Sequence, residues 1–170
     1  NFDGRIYRMN YDGSDAELLI DGAQDGDLSG IIDLAIDEKN NRIYWSKTGA
    51  IMSSALDGTD ITTVVDLPIY TVTDQETRAT AIEVDTTNNK IYWSDPLRIQ
   101  INAADMDGSN QETIIEPNSR PEALFYHESE QKLYWMHSTF SSGSIYRSNL
   151  DGTEDVRILR TSVPDGGLVV

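Results

Sequence analysis

Short apolar runs alternate along the chain with polar clusters rich in Asp, Asn, Gly, Ser and Thr. Ala81-Ile82-Glu83-Val84 and Lys90-Ile91-Tyr92-Trp93 are representative: β-branched and aromatic residues lie between turn formers, with no apolar stripe at the helical period. The pattern predicts an all-β chain.

The runs also recur. Asp-Gly followed by Ser or Thr stands at Asp12-Gly13-Ser14, Asp57-Gly58-Thr59, Asp107-Gly108-Ser109 and Asp151-Gly152-Thr153, at spacings of 45, 50 and 44 residues. Between them fall Tyr44-Trp45, Tyr92-Trp93 and Tyr134-Trp135, so all three Trp residues share one register, at spacings of 48 and 42. A period of this length marks a repeat architecture. In the clearest unit the first strand is Ala81 to Val84, and Thr86-Thr87-Asn88-Asn89 forms a tight turn because Asn tolerates positive φ. Lys90 to Trp93 is the second strand and Ile99 to Met106 the third; Asp107-Gly108-Ser109-Asn110 reverses the chain into Glu112 to Ile115, the fourth. The same order fits Leu34 to Val65.

A four-stranded antiparallel sheet cannot cover both of its own faces, and radial stacking of such sheets as propeller blades does so. A parallel β-helix competes, but its repeats are shorter and lack hairpin turns. The expected fold is therefore one β-propeller domain over 1-170, with repeat units of approximately 1-33, 34-79, 80-121 and 122-167. Asn1-Phe2-Asp3 aligns with Trp93-Ser94-Asp95, and Gly167-Leu168-Val169-Val170 aligns with a first strand. That register predicts a closing blade shared between the termini and favours a closed four-bladed ring, completed by this chain or in a homodimer. Part of a six-bladed ring is the alternative.

The units resemble low-density-lipoprotein receptor class B repeats, named for a Tyr-Trp-Thr-Asp motif that Tyr92-Trp93-Ser94-Asp95 approaches most nearly. Asp37 and Asp85, each eight residues before a Trp, Asn40-Asn41, Asn88-Asn89 and the Asp-Gly-Ser/Thr turns extend the match over nearly the whole chain. The first and third pairs depart from it, continuing as Ser46-Lys47 and Met136-His137. The third unit departs further, with His127 for the strand-one Asp and Glu130-Gln131 for Asn-Asn. The resemblance implies a secreted or extracellular, six-bladed, non-enzymatic propeller of the kind found beside Cys-rich growth-factor-like modules; no such module is present in this sequence.

Composition narrows the partners. With 13 Lys plus Arg against 29 Asp plus Glu, the net charge of −16 disfavours nucleic acid and anionic lipid, and no apolar run is long enough to insert in a membrane. Absent cysteine removes disulfides, thiolate metal sites and Cys nucleophiles. His127 and His137 are the only histidines, and the sequence holds no nucleophile elbow, zinc-protease, P-loop or dinucleotide motif. The expectation is no catalysis and no cofactor.

Residues that recur once per unit read as scaffold: Tyr44, Trp45, Tyr92, Trp93, Tyr134 and Trp135 as inter-blade packing, Asp37 and Asp85 as hydrogen-bonding ties. Asp95 also recurs in the motif, and it opens a loop unlike its counterparts. Ligand-binding candidates come from such non-repeated loops, which propeller connectivity places on one face: Lys47, Tyr70, Asp95, Arg98, Arg120, His137 and Phe140. Asp21 to Asp27 has the spacing of a Ca²⁺ loop but carries Ile32 where the bidentate Glu would stand. The expected function is recognition of a protein or glycan ligand. A small multivalent lectin is the alternative, and a metal-dependent propeller hydrolase a lesser one.

Overall fold

The backbone groups of a short apolar segment must find hydrogen-bond partners, and pairing with the next segment through a tight turn is the nearest solution. The computed structural model describes residues 4–21, 30–67, 79–138 and 142–162, and within these all regular structure is antiparallel sheet. β1 (Arg5–Arg8) and β2 (Glu17–Asp21) form a two-stranded sheet. Three four-stranded sheets follow, each a simple meander. The first holds β3 (Asp33–Asp37), β4 (Arg42–Lys47), β5 (Ala50–Ala55) and β6 (Thr62–Asp66). The second holds β7 (Ala81–Asp85), β8 (Lys90–Asp95), β9 (Gln100–Asp105) and β10 (Glu112–Ile115). The third holds β11 (Ala123–His127), β12 (Lys132–Ser138), β13 (Ser142–Asn149) and β14 (Val156–Ser162).

Two compact units emerge, Asn1–Ala79 and Thr80–Val170. In the first, Ile6 and Ile20 of the two-stranded sheet pack on Ile43 and Trp45 of β4, with Leu19, Met52 and Leu56 at the margin. In the second, Tyr92, Ile101 and Ile115 of one sheet meet Leu124, Tyr126, Leu133 and Trp135 of the next. The Tyr146 ring stacks on Trp135, with centroids 5.4 Å apart and planes 10° apart. Trp45 and Trp135 are fully enclosed. Burying a large aromatic ring contributes on the order of 2–3 kcal/mol, which makes the Tyr-Trp register the main packing element of each unit.

Left-handed residues appear in the same register in every repeat. Asn41, Asn89 and Gln131 end the turns between first and second strands, at φ of 54°, 56° and 53°. Asp15, Asp60, Asn110 and Glu154 stand three residues after the Asp of each Asp-Gly turn, at φ of 52° to 55°. Asn and Asp tolerate this region best, and Gln131 and Glu154 adopt it at the equivalent positions of the last blade, so the turn chemistry fixes the strand ends.

The third strand is shorter than expected. It runs Gln100–Asp105 instead of Ile99 to Met106, because Ile99 adopts a left-handed φ of 57° to close the preceding loop and Met106 has entered the following turn. That loop is set by Asp95, which accepts hydrogen bonds from the backbone of Leu97 and Arg98.

Candidate functional site

The two ends of each sheet carry different chemistry. At one end the turns are stereotyped and satisfied within themselves. Asp12, Asp57, Asp107 and Asp151 each accept the backbone N–H and the hydroxyl of the Ser or Thr two residues on, at 2.9–3.0 and 2.6 Å. Those hydroxyl bonds, followed by the backbone bonds, hold the four carboxyls below the ordinary Asp range. Asp37 and Asp85, both wholly buried, close the other turn at this end by accepting from Asn40 and Asn88 respectively, through backbone and side-chain amides. His127 occupies the same place in the last sheet. Its Nδ1 accepts the Glu130 N–H at 3.3 Å, a weaker cap.

At this end the two sheets of the second unit are tied to each other. The Asn88 Nδ2 donates to Asp85 Oδ2 at 2.6 Å and to Gln131 Oε1 at 2.8 Å, and Gln131 Nε2 donates to the Tyr126 hydroxyl at 2.6 Å. The Asp85 carboxylate lies close enough to that hydroxyl to act on its titration. The result is a hydrogen-bonded chain of four side chains crossing from one sheet to the next. Burial first, and the Asp85 carboxylate second, push the Tyr126 hydroxyl up to about 12; burial also raises Tyr92. A Tyr whose folded pKa lies above its unfolded value stabilises fully below the unfolded pKa and loses that contribution as pH climbs through the folded one. Tyr126 should therefore contribute a loss of up to about 2–3 kcal/mol to the stability of the second unit between about pH 10 and 12, beside the loss from Tyr92, and Tyr126→Phe should lack that part. Equal losses in both proteins, read as urea midpoints at the two pH values, would remove Tyr126 from the explanation.

The opposite end carries the non-repeated residues. Asp95 is 2% exposed and held by Arg98 Nη1 at 2.9 Å, so the structure brings together two ligand-binding candidates as an ion pair that shapes the Asp95-to-Gln100 loop. Asp95 thus faces its own loop, while the half-buried guanidinium of Arg98 lines the rim. Glu116 accepts from Gln100 at the same end. Arg120 is exposed on the connection into β11, and His137 is half-buried near the end of β12, opposite Ser144 of β13. Lys47 ends β4 in the other unit. Tyr70 and Phe140 lie outside the described residues, as does the Asp21-to-Asp27 segment beyond Asp21, whose carboxylate pairs with Arg5 at 3.3 Å. No group of three or more His, Cys, Asp or Glu side chains able to hold a metal ion occurs among the described residues.

Sequence reasoning missed Tyr126 and Gln131, the far half of this inter-sheet chain. Their signal was faint: an aromatic next to His127, and a Gln at a left-handed position where the other units have Asn.

No family model matches the sequence. Among solved structures the chain is similar to one in a nidogen/laminin complex, with a TM-score of 0.78 and 21% identity over 93% of this chain and 59% of that one. It is also similar to a putative TolB from Agrobacterium tumefaciens, with a TM-score of 0.71 and 12% identity over 93% of this chain and 57% of that one. TolB from Acinetobacter baumannii gives 0.69 and 11%, over 91% and 37%. The chain thus spans 59% or less of these relatives. The fold is a β-propeller built from four-stranded antiparallel blades. Among the described residues no helix is long and apolar enough to cross a membrane.

Proposed function

We propose that this chain is a non-catalytic recognition module of extracellular type, which binds a protein partner through the blade ends that carry the connections between strands two and three and between blades. The observation that carries the reading is the asymmetry of the two ends. The Asp-Gly end spends its carboxylates on its own backbone, whereas the other end presents a different set of charges in each blade, including Asp66, Glu116, Arg98 and Arg120. A rigid scaffold with repeated internal turns and variable loops is the arrangement a binding surface needs. The similar chain solved within a nidogen/laminin complex supports a protein partner for this fold.

The net charge of −16 favours a basic partner and steers its approach. Binding of the immobilised chain to a panel of basic extracellular protein domains should show an on-rate that drops about tenfold between low and physiological salt. Arg120→Glu, which adds an acid to the rim, should raise the on-rate for the same domain. Agglutination reversed by a single monosaccharide, with no protein bound, would replace this reading with the lectin. Ester hydrolysis abolished by a chelator would replace it with an enzyme.

A further inference from the structure

The outermost strand of each blade follows one register, and the last blade breaks its charge pattern. In all four sheets a bulge sits at the same step, leaving Leu19, Val64, Ile114 and Ile158 as the extra residue. Aligned on that bulge, Asp21, Asp66, Glu116 and Arg160 occupy one column, two residues beyond the bulge. A second column, immediately before it, holds Leu18, Thr63, Thr113 and Arg157. A third, one residue earlier, holds Glu17, Thr62, Glu112 and Val156. The last blade has thus exchanged acids for Arg160 and Val156 and gained Arg157.

Its outer strand is also longer. β14 has seven residues against five, five and four in β2, β6 and β10, and among the described residues its far side has no strand partner. Arg157 and Arg160 stand opposite Tyr146 and Ser144 of β13, two positions apart on that strand, so both project from one face. Both are exposed and neither makes an ion pair among the described residues. An open edge of this length is a template for strand addition, and arginines on it select which strand can add.

We propose that the free edge of β14 is a strand-pairing site for an extended acidic peptide segment, with carboxylates two residues apart that meet Arg157 and Arg160 on one face. An added strand lies about 4.8 Å away, close enough for long side chains on the shared face to pair. A second copy is the poorer occupant. Antiparallel pairing of β14 with itself aligns the same faces and sets four guanidinium groups beside each other, which like charges across a ladder oppose. Arg160 shares its column with Asp66 and Glu116 of the proposed binding end, but the two sites take partners of opposite charge, so a basic domain and an acidic peptide read them separately and either reading can fail alone.

The test uses the full 170-residue chain and a fluorescein-labelled heptapeptide of alternating Thr/Val and Glu, read by anisotropy. Saturable binding is expected. It should weaken about tenfold between low and physiological salt and by at least about tenfold in the Arg157→Gln/Arg160→Gln double variant, whose exposed substitutions leave the circular dichroism unchanged. The same peptide with Lys for Glu, or with a central Pro that removes a backbone donor, should not bind. Equal binding to the double variant, or no saturation by the acidic peptide, overturns the proposal. A concentration-dependent doubling of mass by light scattering, unaffected by the peptide, would assign the edge to a second copy instead.

Discussion

Gly152→Ala is expected to cost the second unit about 3–5 kcal/mol, while Gly13→Ala costs about 1 kcal/mol, although both glycines occupy the same position of the same turn. The backbone requirement is common to them: φ is +79° at Gly152 and +82° at Gly13. What differs is the neighbour. A Cβ on Gly152 would stand 2.0 Å from the Ile114 carbonyl oxygen, on the outer strand of the preceding sheet, and 3.1 Å from the Ile115 side chain. Backbone cannot rotate aside, so the turn must retreat and loosen the packing of Ile115 and Leu133 behind it. Gly13 has nothing within 4 Å. Gly58, whose Cβ would meet the Leu19 carbonyl oxygen at 2.2 Å, should behave like Gly152 within the first unit. Urea unfolding followed by Trp fluorescence reads each change, and equal midpoint shifts for Gly152→Ala and Gly13→Ala would show that the close approach contributes nothing.

Much of the fold was legible because the landmarks are backbone chemistry. Asp-Gly-Ser/Thr specifies a turn by glycine's left-handed φ and by a carboxylate that caps the next two residues, and both requirements act within four residues of sequence. The third-strand boundary was misjudged because Ile99 accepts a left-handed conformation its side chain disfavours, held there by the Asp95 loop. The site was less legible for the opposite reason. The pairing of Asp95 with Arg98 is local, but the junction of Asp85, Asn88, Tyr126 and Gln131 spans two sheets, and no periodicity encodes it. Glu130-Gln131 reads in the sequence as a departure from Asn-Asn. In the structure the extra methylene of Gln131 lets one amide reach both Asn88 and Tyr126. Likewise Arg160 looks like any surface arginine until the bulge register sets it against Asp21, Asp66 and Glu116.

Asp85→Ala is expected to destabilise the second unit by about 3–5 kcal/mol, against about 2 kcal/mol for Asp37→Ala in the first, although both carboxylates are wholly buried and cap equivalent turns. Asp37 accepts from the backbone and side-chain amides of Asn40, and its removal leaves those donors at a solvent-facing turn. Asp85 accepts from the Thr87 and Asn88 N–H groups and Asn88 Nδ2, and through Asn88 it is linked to Gln131 of the neighbouring sheet, with the Tyr126 hydroxyl close by. Its loss also frees Asn88, whose amide holds Gln131 and, through it, the Tyr126 hydroxyl of the neighbouring sheet. Asp85→Asn should fall between, since its carbonyl can still accept the backbone bonds while its NH₂ opposes the Asn88 amide. A double-mutant cycle with Tyr126→Phe isolates the inter-sheet part, and a coupling of about 1–2 kcal/mol is expected. Zero coupling, or an Asp85→Ala cost no larger than that of Asp37→Ala, would reduce Asp85 to a turn cap and leave the joining of the two sheets to apolar packing.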